Sequence, residues 1–303
     1  WMIMEGKRMK AGVKKRLAQE AKGVAWTLPA LTFLVMFTLY PMVNAIITSF
    51  YNWNLTGRKK YIGGYNYQKL FSDPEIYETI WRTLQYAIIV LPATLIFGFI
   101  LALLLKKSTK INVLFRTLLF TPRVSSMVAI SVVWLFIYNP QYGLLNSVFG
   151  LFGIAPIRWL NDPALALPSL SIITIWRMLG YSTVVFLGGI QNISEDVLEA
   201  STIDGANPLQ TVWHITIPLV SPTTFMLLIL NTIEVLKMFT TINVMTDGGP
   251  AKATQNLVVM LYEYAFRRYQ LGYASTIAVV LFVLILAVNL LQMALERFVN
   301  YDA

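Results

Sequence analysis

The sequence predicts an all-α membrane protein with about six transmembrane helices. Three observations carry this. Of 303 residues, 56% are hydrophobic and 13% charged, whereas a soluble domain carries about 25% charged residues. The apolar residues gather in runs long enough to cross a hydrocarbon core of about 30 Å, which takes roughly 20 residues of helix. Trp26, Tyr40, Tyr51, Trp53, Trp81, Tyr138 and Tyr142 cluster near the ends of these runs, the aromatic belt expected at headgroup level.

The runs fall at 24–50, 83–105, 112–138, 165–190, 219–245 and 273–298. Lipid offers no partner to a free N–H or C=O, so each run reads as a helix and not as an open strand. Ahead of the first run stand Lys7, Arg8, Lys10, Lys14, Lys15, Arg16 and Lys22, a large part of the net charge of +9. Beside a span such a cluster follows the positive-inside rule; nucleic-acid binding is the weaker reading. Residues 1–23 are therefore expected as a basic cytoplasmic N-terminus before an uncleaved anchor, and 24–303 as the transmembrane domain. Counting forward, the connector with Lys106, Lys107, Lys110 and Arg116 is cytoplasmic, as are connector 191–218 and the C-terminus. Arg58, Lys59, Lys60, Arg267 and Arg268 fall outside, so the first segments carry the asymmetry. In the outer segment 51–82, Asn52-Trp53-Asn54 and Gly63-Gly64-Tyr65-Asn66 are turn signals. Ser72 or Asp73, with Pro74 next, marks the cap of a short interfacial helix leading into the second span.

Several chemistries are excluded. The chain has no cysteine, so disulfides, Cys metal sites and thiol catalysis are absent. No His or carboxylate set has catalytic or metal-ligating spacing, so no catalytic residue and no metal site is expected. No Gly-x-x-x-x-Gly-Lys-Ser/Thr run provides a phosphate cradle, so the chain is not expected to bind nucleotide or any cofactor itself.

Connector 191–218 differs from the other loops. Ser194 followed by Glu195 and Asp196 is a helix start, a capping hydroxyl and then carboxylates at the positive end of the dipole. The helix runs to Ile203, and Gly205 supplies the φ > 0 position that ends it. Asn207-Pro208 starts a second helix, with Leu209, Val212, Trp213 and Ile215 at helical spacing and Pro218 closing it. Glu199 and Asp204 flank the apolar stripe. Ala200, Ser201 and Gly205 are small enough for close approach of another surface. On these grounds the element either docks a partner or caps the protein's own helix ends.

Glu199-Ala200-Ser201, then Gly205, then Ile215-Thr216-Ile217-Pro218 resembles the EAA loop of ABC-importer permeases, with Ser201 in place of a frequent Ala and Ile217 in place of a frequent Leu. The resemblance extends along most of the chain. Gly64-Tyr65-Asn66-Tyr67 with Leu70 is similar to the start of the core in the carbohydrate-uptake branch, related to the maltose and glycerol-phosphate permeases. So are Phe115-Arg116-Thr117 with Pro122, Trp134, Asn139-Pro140, Tyr142-Gly143-Leu144-Leu145-Asn146, Thr246-Asp247-Gly248-Gly249-Pro250, Phe266, and Leu271-Gly272-Tyr273-Ala274. The resemblance implies the type I importer permease fold and a bacterial inner-membrane, multi-pass location. It further implies an ABC ATPase dimer that holds ATP and Mg, a second homologous permease subunit, and an extracytoplasmic solute-binding protein. Glu199, Ala200, Ser201, Gly205 and Pro218 would then engage the ATPase, Glu199 against a basic group; Asp204 is added for its place beside the turn.

Intramembrane charges are costly and default to function. Arg177 lies in the fourth run and Glu234 and Lys237 in the fifth; Asn231, Glu234 and Lys237 are spaced by three and share a helix face. Trp176, Tyr181 and Ser182 lie beside Arg177, and Met238 beside Lys237. An aromatic ring next to hydrogen-bonding groups suits a sugar. These residues form a substrate path, a structural ion-pair network or a gate, and Glu234 and Lys237 are placed to neutralise each other. Ser221, Pro222 and Thr223 mark an irregularity at the inner end of the fifth span. His214 reads as a surface or interface residue, and Asn289 as an interhelical hydrogen-bond donor. The expected substrate is a sugar or oligosaccharide. An anionic sugar-like solute is the alternative, and a secondary transporter the alternative from another class, with Glu234 as its one candidate coupling carboxylate.

Overall fold

The computed structural model describes residue 24 and residues 26–55 and 57–299; the basic segment 1–23 lies outside them. In chain order come α1 (Trp26–Thr48), β1 (Tyr51–Asn52), β2 (Lys60–Tyr61), α2 (Tyr65–Ser72), α3 (Pro74–Leu104), α4 (Lys110–Val124), α5 (Met127–Ile137), α6 (Leu144–Gly150) and α7 (Pro163–Gln191). Then follow α8 (Glu195–Ile203), α9 (Pro208–Thr211), α10 (Ile217–Leu219), α11 (Ser221–Leu236), α12 (Thr240–Met245), α13 (Leu257–Tyr262) and α14 (Leu271–Val299). By length and composition α1, α3, α7, α11 with α12, and α14 can each cross a membrane.

The third run departs from the expected single helix over 112–138. It is two helices, α4 and α5, bent by 103°. Ser125 and Ser126 between them are extended, with ψ of 151° and 125°. Pro122 has no N–H to give back to the preceding turn, and Ser125 Oγ donates to the Thr121 carbonyl at 3.0 Å. Proline and serine pairs are the usual causes of a sharp break. The second span also differs from expectation. Asp73 caps it, accepting from the Glu75 N–H at 2.9 Å, but the helix beginning at Pro74 runs unbroken to Leu104. The separate short helix is α2, one step upstream.

Prolines shape two further helices. Val35–Leu39 and Val212–Thr216 widen into π turns, and each is followed after one residue by a proline, Pro41 or Pro218. A proline cannot bond the carbonyl four residues back, and its ring crowds that carbonyl. Pro218 therefore does not close the second connector helix. The helix continues through Leu219 and breaks at Val220, directly before Ser221-Pro222-Thr223.

The main core is formed where α3 and α7 pack along each other with α11 and α12, burying Tyr86, Val90, Leu170, Ile173, Met178, Leu236 and Ile242. A second core joins α2, α13 and α14 through Leu70, Leu257, Met260 and Ile277. The two large phenols of the main core are bonded: Tyr138 OH donates to the Ser169 carbonyl at 2.9 Å, and Tyr86 OH meets the hydroxyl of Thr174. Gln292 on α14 donates to Thr232 Oγ1 on α11 at 2.8 Å. Asn289, expected in that interhelical role, instead donates to the Ile285 carbonyl of its own helix at 2.8 Å. The motifs around Asn66, Asn146 and Asp247 have structural work. Asn66 Nδ2 donates to the carbonyls of Ser49 at 2.8 Å and Tyr51 at 3.0 Å. Asn146 ties Pro140, Ile157 and Trp159 together. Arg267 clamps both oxygens of Asp247 at 2.7 and 2.8 Å. On the other side, Arg116 Nε caps the end of α3 at the Leu105 carbonyl, 3.1 Å away.

Close helix approach matters most at Gly180. A Cβ there would lie 1.9 Å from the Leu119 carbonyl oxygen of α4, so only a glycine lets α4 and α7 touch backbone to backbone. Gly180→Val is expected to force these helices apart and cost about 3 kcal/mol, read as a lower thermal midpoint in detergent. Gly188→Ala, where a Cβ meets nothing within 4 Å, is expected to hold or slightly raise that midpoint.

Candidate functional site

Two clusters carry the expected residues. The first is the connector between α7 and α11, a helix–turn–helix. Helix α8 ends in a Schellman arrangement: Ala206 N–H bonds the Ser201 carbonyl at 3.0 Å and Gly205 N–H the Thr202 carbonyl at 3.1 Å. Gly205 has φ +81°, the left-handed conformation this closure requires. Asn207 and Gln210 then form a reciprocal capping box, with Gln210 N–H on Asn207 Oδ1 at 2.9 Å and Asn207 N–H on Gln210 Oε1 at 2.8 Å. Gln210 is a partner that sequence reading missed, although an N-cap Asn with Gln three residues on is its signature. Ser194 sits at the N-cap of α8 but its side chain makes no capping bond.

Glu199, Ala200, Asp204 and Gly205 are all exposed, whereas Ser201 is buried and bonds the Leu198 carbonyl at 2.7 Å. Pro218 is half-buried. Ile203 is 86% exposed, Leu209 66% and Trp213 61%. Much of the apolar stripe thus faces away from the protein's own helix ends; Val212 and Ile215 are half-buried. His214 is exposed and its Nδ1 lies 3.0 Å from the Gln210 carbonyl.

The second cluster lies at mid-span. Glu234 on α11 does not pair with Lys237. Arg123 Nη1 donates to both of its carboxylate oxygens at 2.6 and 2.7 Å, and Arg177 Nη1 to Oε1 at 2.7 Å. Lys237 follows the last residue of α11, is exposed, and has no salt bridge among the described residues. Arg123 also covers the face of Tyr181, 4.9 Å from the ring centroid. Arg123 was not singled out from the sequence. The signal was there, a cation inside an apolar run, next to Pro122 and two residues before the break.

The remaining residues divide. Asn231 donates to Ser182 Oγ at 3.3 Å, both buried, joining α11 to α7. Trp176 stands edge-on to Trp134, with ring centroids 5.7 Å apart. Met238 is buried in the main core, and its carbonyl accepts from Asn256 Nδ2 at 2.5 Å, which is a packing role. The ion cluster therefore unites three elements: the end of α4, the middle of α7 and the last turn of α11. Removing the shared carboxylate leaves two partly buried cations facing each other. Glu234→Gln is expected to cost about 3 kcal/mol in detergent unfolding. Arg177→Gln is expected to cost less, because Arg123 and Glu234 stay paired. The reverse order would show that Arg177, and not the carboxylate, holds the cluster.

Comparison with known proteins agrees with this architecture. Residues 94–301 match the family described as "Binding-protein-dependent transport system inner membrane component". The chain is 35% identical to the probable ABC transporter permease protein YurN of Bacillus subtilis, over 88% of this chain and 92% of that one. It is 30% identical to the sulfoquinovosyl glycerol transport system permease protein SmoG of Agrobacterium fabrum, over 89% and 88%. It is 29% identical to the trehalose/maltose transport system permease protein MalF of Thermococcus litoralis, over 92% and 95%. In shape it is similar to a chain in the crystal structure of a bacterial ABC transporter involved in import of the acidic polysaccharide alginate. That match has TM-score 0.83 and 20% identity, covering 95% of this chain and 99% of that one, and establishes the fold. A broken third span, a helix–turn–helix between the fourth and fifth, and a family match over more than half the sequence agree: the chain belongs to the inner-membrane permease components of binding-protein-dependent ABC transport systems.

Proposed function

We propose that this chain forms half of the translocation path of an ATP-driven importer for a sugar or oligosaccharide. Family membership carries the importer part. The names of relatives carry the substrate class: trehalose/maltose transport and sulfoquinovosyl glycerol transport. The path is closed by a second, homologous permease. An extracytoplasmic binding protein delivers the solute to the outer loops, and a pair of ABC ATPase subunits holds ATP and Mg. The N-terminus lies in the cytoplasm, which sets connector 191–218 on the ATPase side.

The exposed connector supports the coupling role. Ile203, Leu209 and Trp213 present apolar surface to water, beside Glu195, Asp196, Glu199 and Asp204. Such a patch calls for a partner, and its acids call for a basic one. In this reading Glu199 pairs with a cation of the ATPase, Ala200 allows close contact, and Ser201 and Gly205 fix the turn. Asp204 adds charge, and Pro218 sets the π turn that aims the second helix. The secondary-transporter alternative loses ground because Glu234, its one candidate coupling carboxylate, is held by two guanidiniums.

Glu199→Lys is expected to abolish ATP-dependent uptake in proteoliposomes and to weaken co-purification of the ATPase, with an unchanged thermal midpoint for the chain itself. Uptake at the wild-type rate would remove Glu199 from the docking role. Uptake that persists with an inactive ATPase would overturn the importer reading as a whole.

A further inference from the structure

We propose that this chain selects an anionic saccharide, and that Arg123 and Arg177 are the residues that set this preference. The inference deepens the sugar-importer reading and rests on it. It starts from an unbalanced charge count. Arg177 and Glu234 lie near the middle of their spans, and Arg123 at the break of its own. At that depth a charge without a counter-charge is expensive. Yet two guanidiniums share one carboxylate, and among the described residues neither meets a second acid. Lys237, one turn beyond Glu234 and exposed, adds a further cation without a salt bridge among the described residues.

The hydrogen-bond count agrees. A guanidinium offers five N–H donors. Arg123 and Arg177 each use only Nη1, and only on Glu234. Arg177 Nε is buried with no acceptor. Both side chains remain partly open, 25% and 18% exposed. A planar fork with free donors matches the paired oxygens of a carboxylate, phosphate or sulfonate. The cluster is also flanked by aromatic surface of the kind a sugar ring stacks on: Tyr181 beneath Arg123 and Trp176, 39% exposed, nearby in sequence. Glu234 then acts as a positioning residue. It holds the two arginines at one height without neutralising both, so one positive charge stays available to a passing anion. The rival source of the missing charge is a carboxylate of the second permease.

The test uses the whole assembly of this chain, partner permease, ATPase pair and binding protein in proteoliposomes. Probes are paired as anionic and neutral: trigalacturonate against its neutral methyl ester, and glucose 6-phosphate against glucose. The expected result is ATP-dependent uptake of an anionic member at least tenfold faster than its neutral counterpart. Arg177→Gln and Arg123→Gln should each shrink that ratio about tenfold, and Arg177→Lys, which keeps the charge, should preserve most of it. Equal or faster uptake of the neutral members overturns the proposal and leaves the sugar importer intact. So does an unchanged ratio in the glutamine variants. Loss of the partner permease from the Arg177→Gln complex would assign the cluster to the subunit interface and overturn it too. ATP-dependent uptake of none of the four probes would overturn the saccharide reading, and this proposal with it.

Discussion

In a hydrocarbon layer no water stands ready to complete a hydrogen bond or screen a charge, and each feature of this chain answers that constraint. Helices satisfy the backbone from within. Where a helix is interrupted, a local group takes over: Ser125 Oγ returns to the Thr121 carbonyl at the 103° break. Where the carboxylate of Glu234 enters the layer, it is met by two guanidiniums. The cost of leaving such groups unmet dictates which residues stand together.

The same constraint changes what holds helices to each other. Lipid tails are as apolar as leucine, so burying leucine gains little between spans, and close packing and polar contacts take a larger share. Gly180 against Leu119, the Asn231–Ser182 bond and the Gln292–Thr232 bond are contacts of this kind. Helix α1 packs near its C-terminal end against α14 and elsewhere exposes Trp26, Phe33 and Phe37, as a helix facing lipid or a partner subunit would.

The spans were legible because their signal is local and one-dimensional: a run of apolar residues with aromatic ends. The connector was legible for the same reason, since Gly205 and Asn207-Pro208 encode its turn within a few residues. The break in the third span was missed because hydropathy averages over 112–138 and does not weigh Pro122, Ser125 and Ser126 together. The pairing of Glu234 was misjudged because spacing along one helix suggests Lys237, whereas the true partners come from positions 111 and 57 residues away in sequence. Asn289 was misassigned for a related reason. A polar side chain in a span can bond its own helix or a neighbour, and only three dimensions decide.

The two clusters are not independent. Helix α7 carries Arg177 and runs straight into connector 191–218; α11 carries Glu234 and begins at Ser221, directly after it. At 1.5 Å per residue, each charge lies about 20 Å along its helix from the connector, so the two arms are nearly equal. The connector is itself stiffened by the capping box at Asn207 and by the turn at Gly205. The two helices it joins meet at one carboxylate shared with Arg123, at the end of α4. Arg123 meets both oxygens of Glu234 and Arg177 only one, so the carboxylate ties α4, α7 and α11 together unequally. The site where charge is least balanced is thus also the site where α4, α7 and α11 converge.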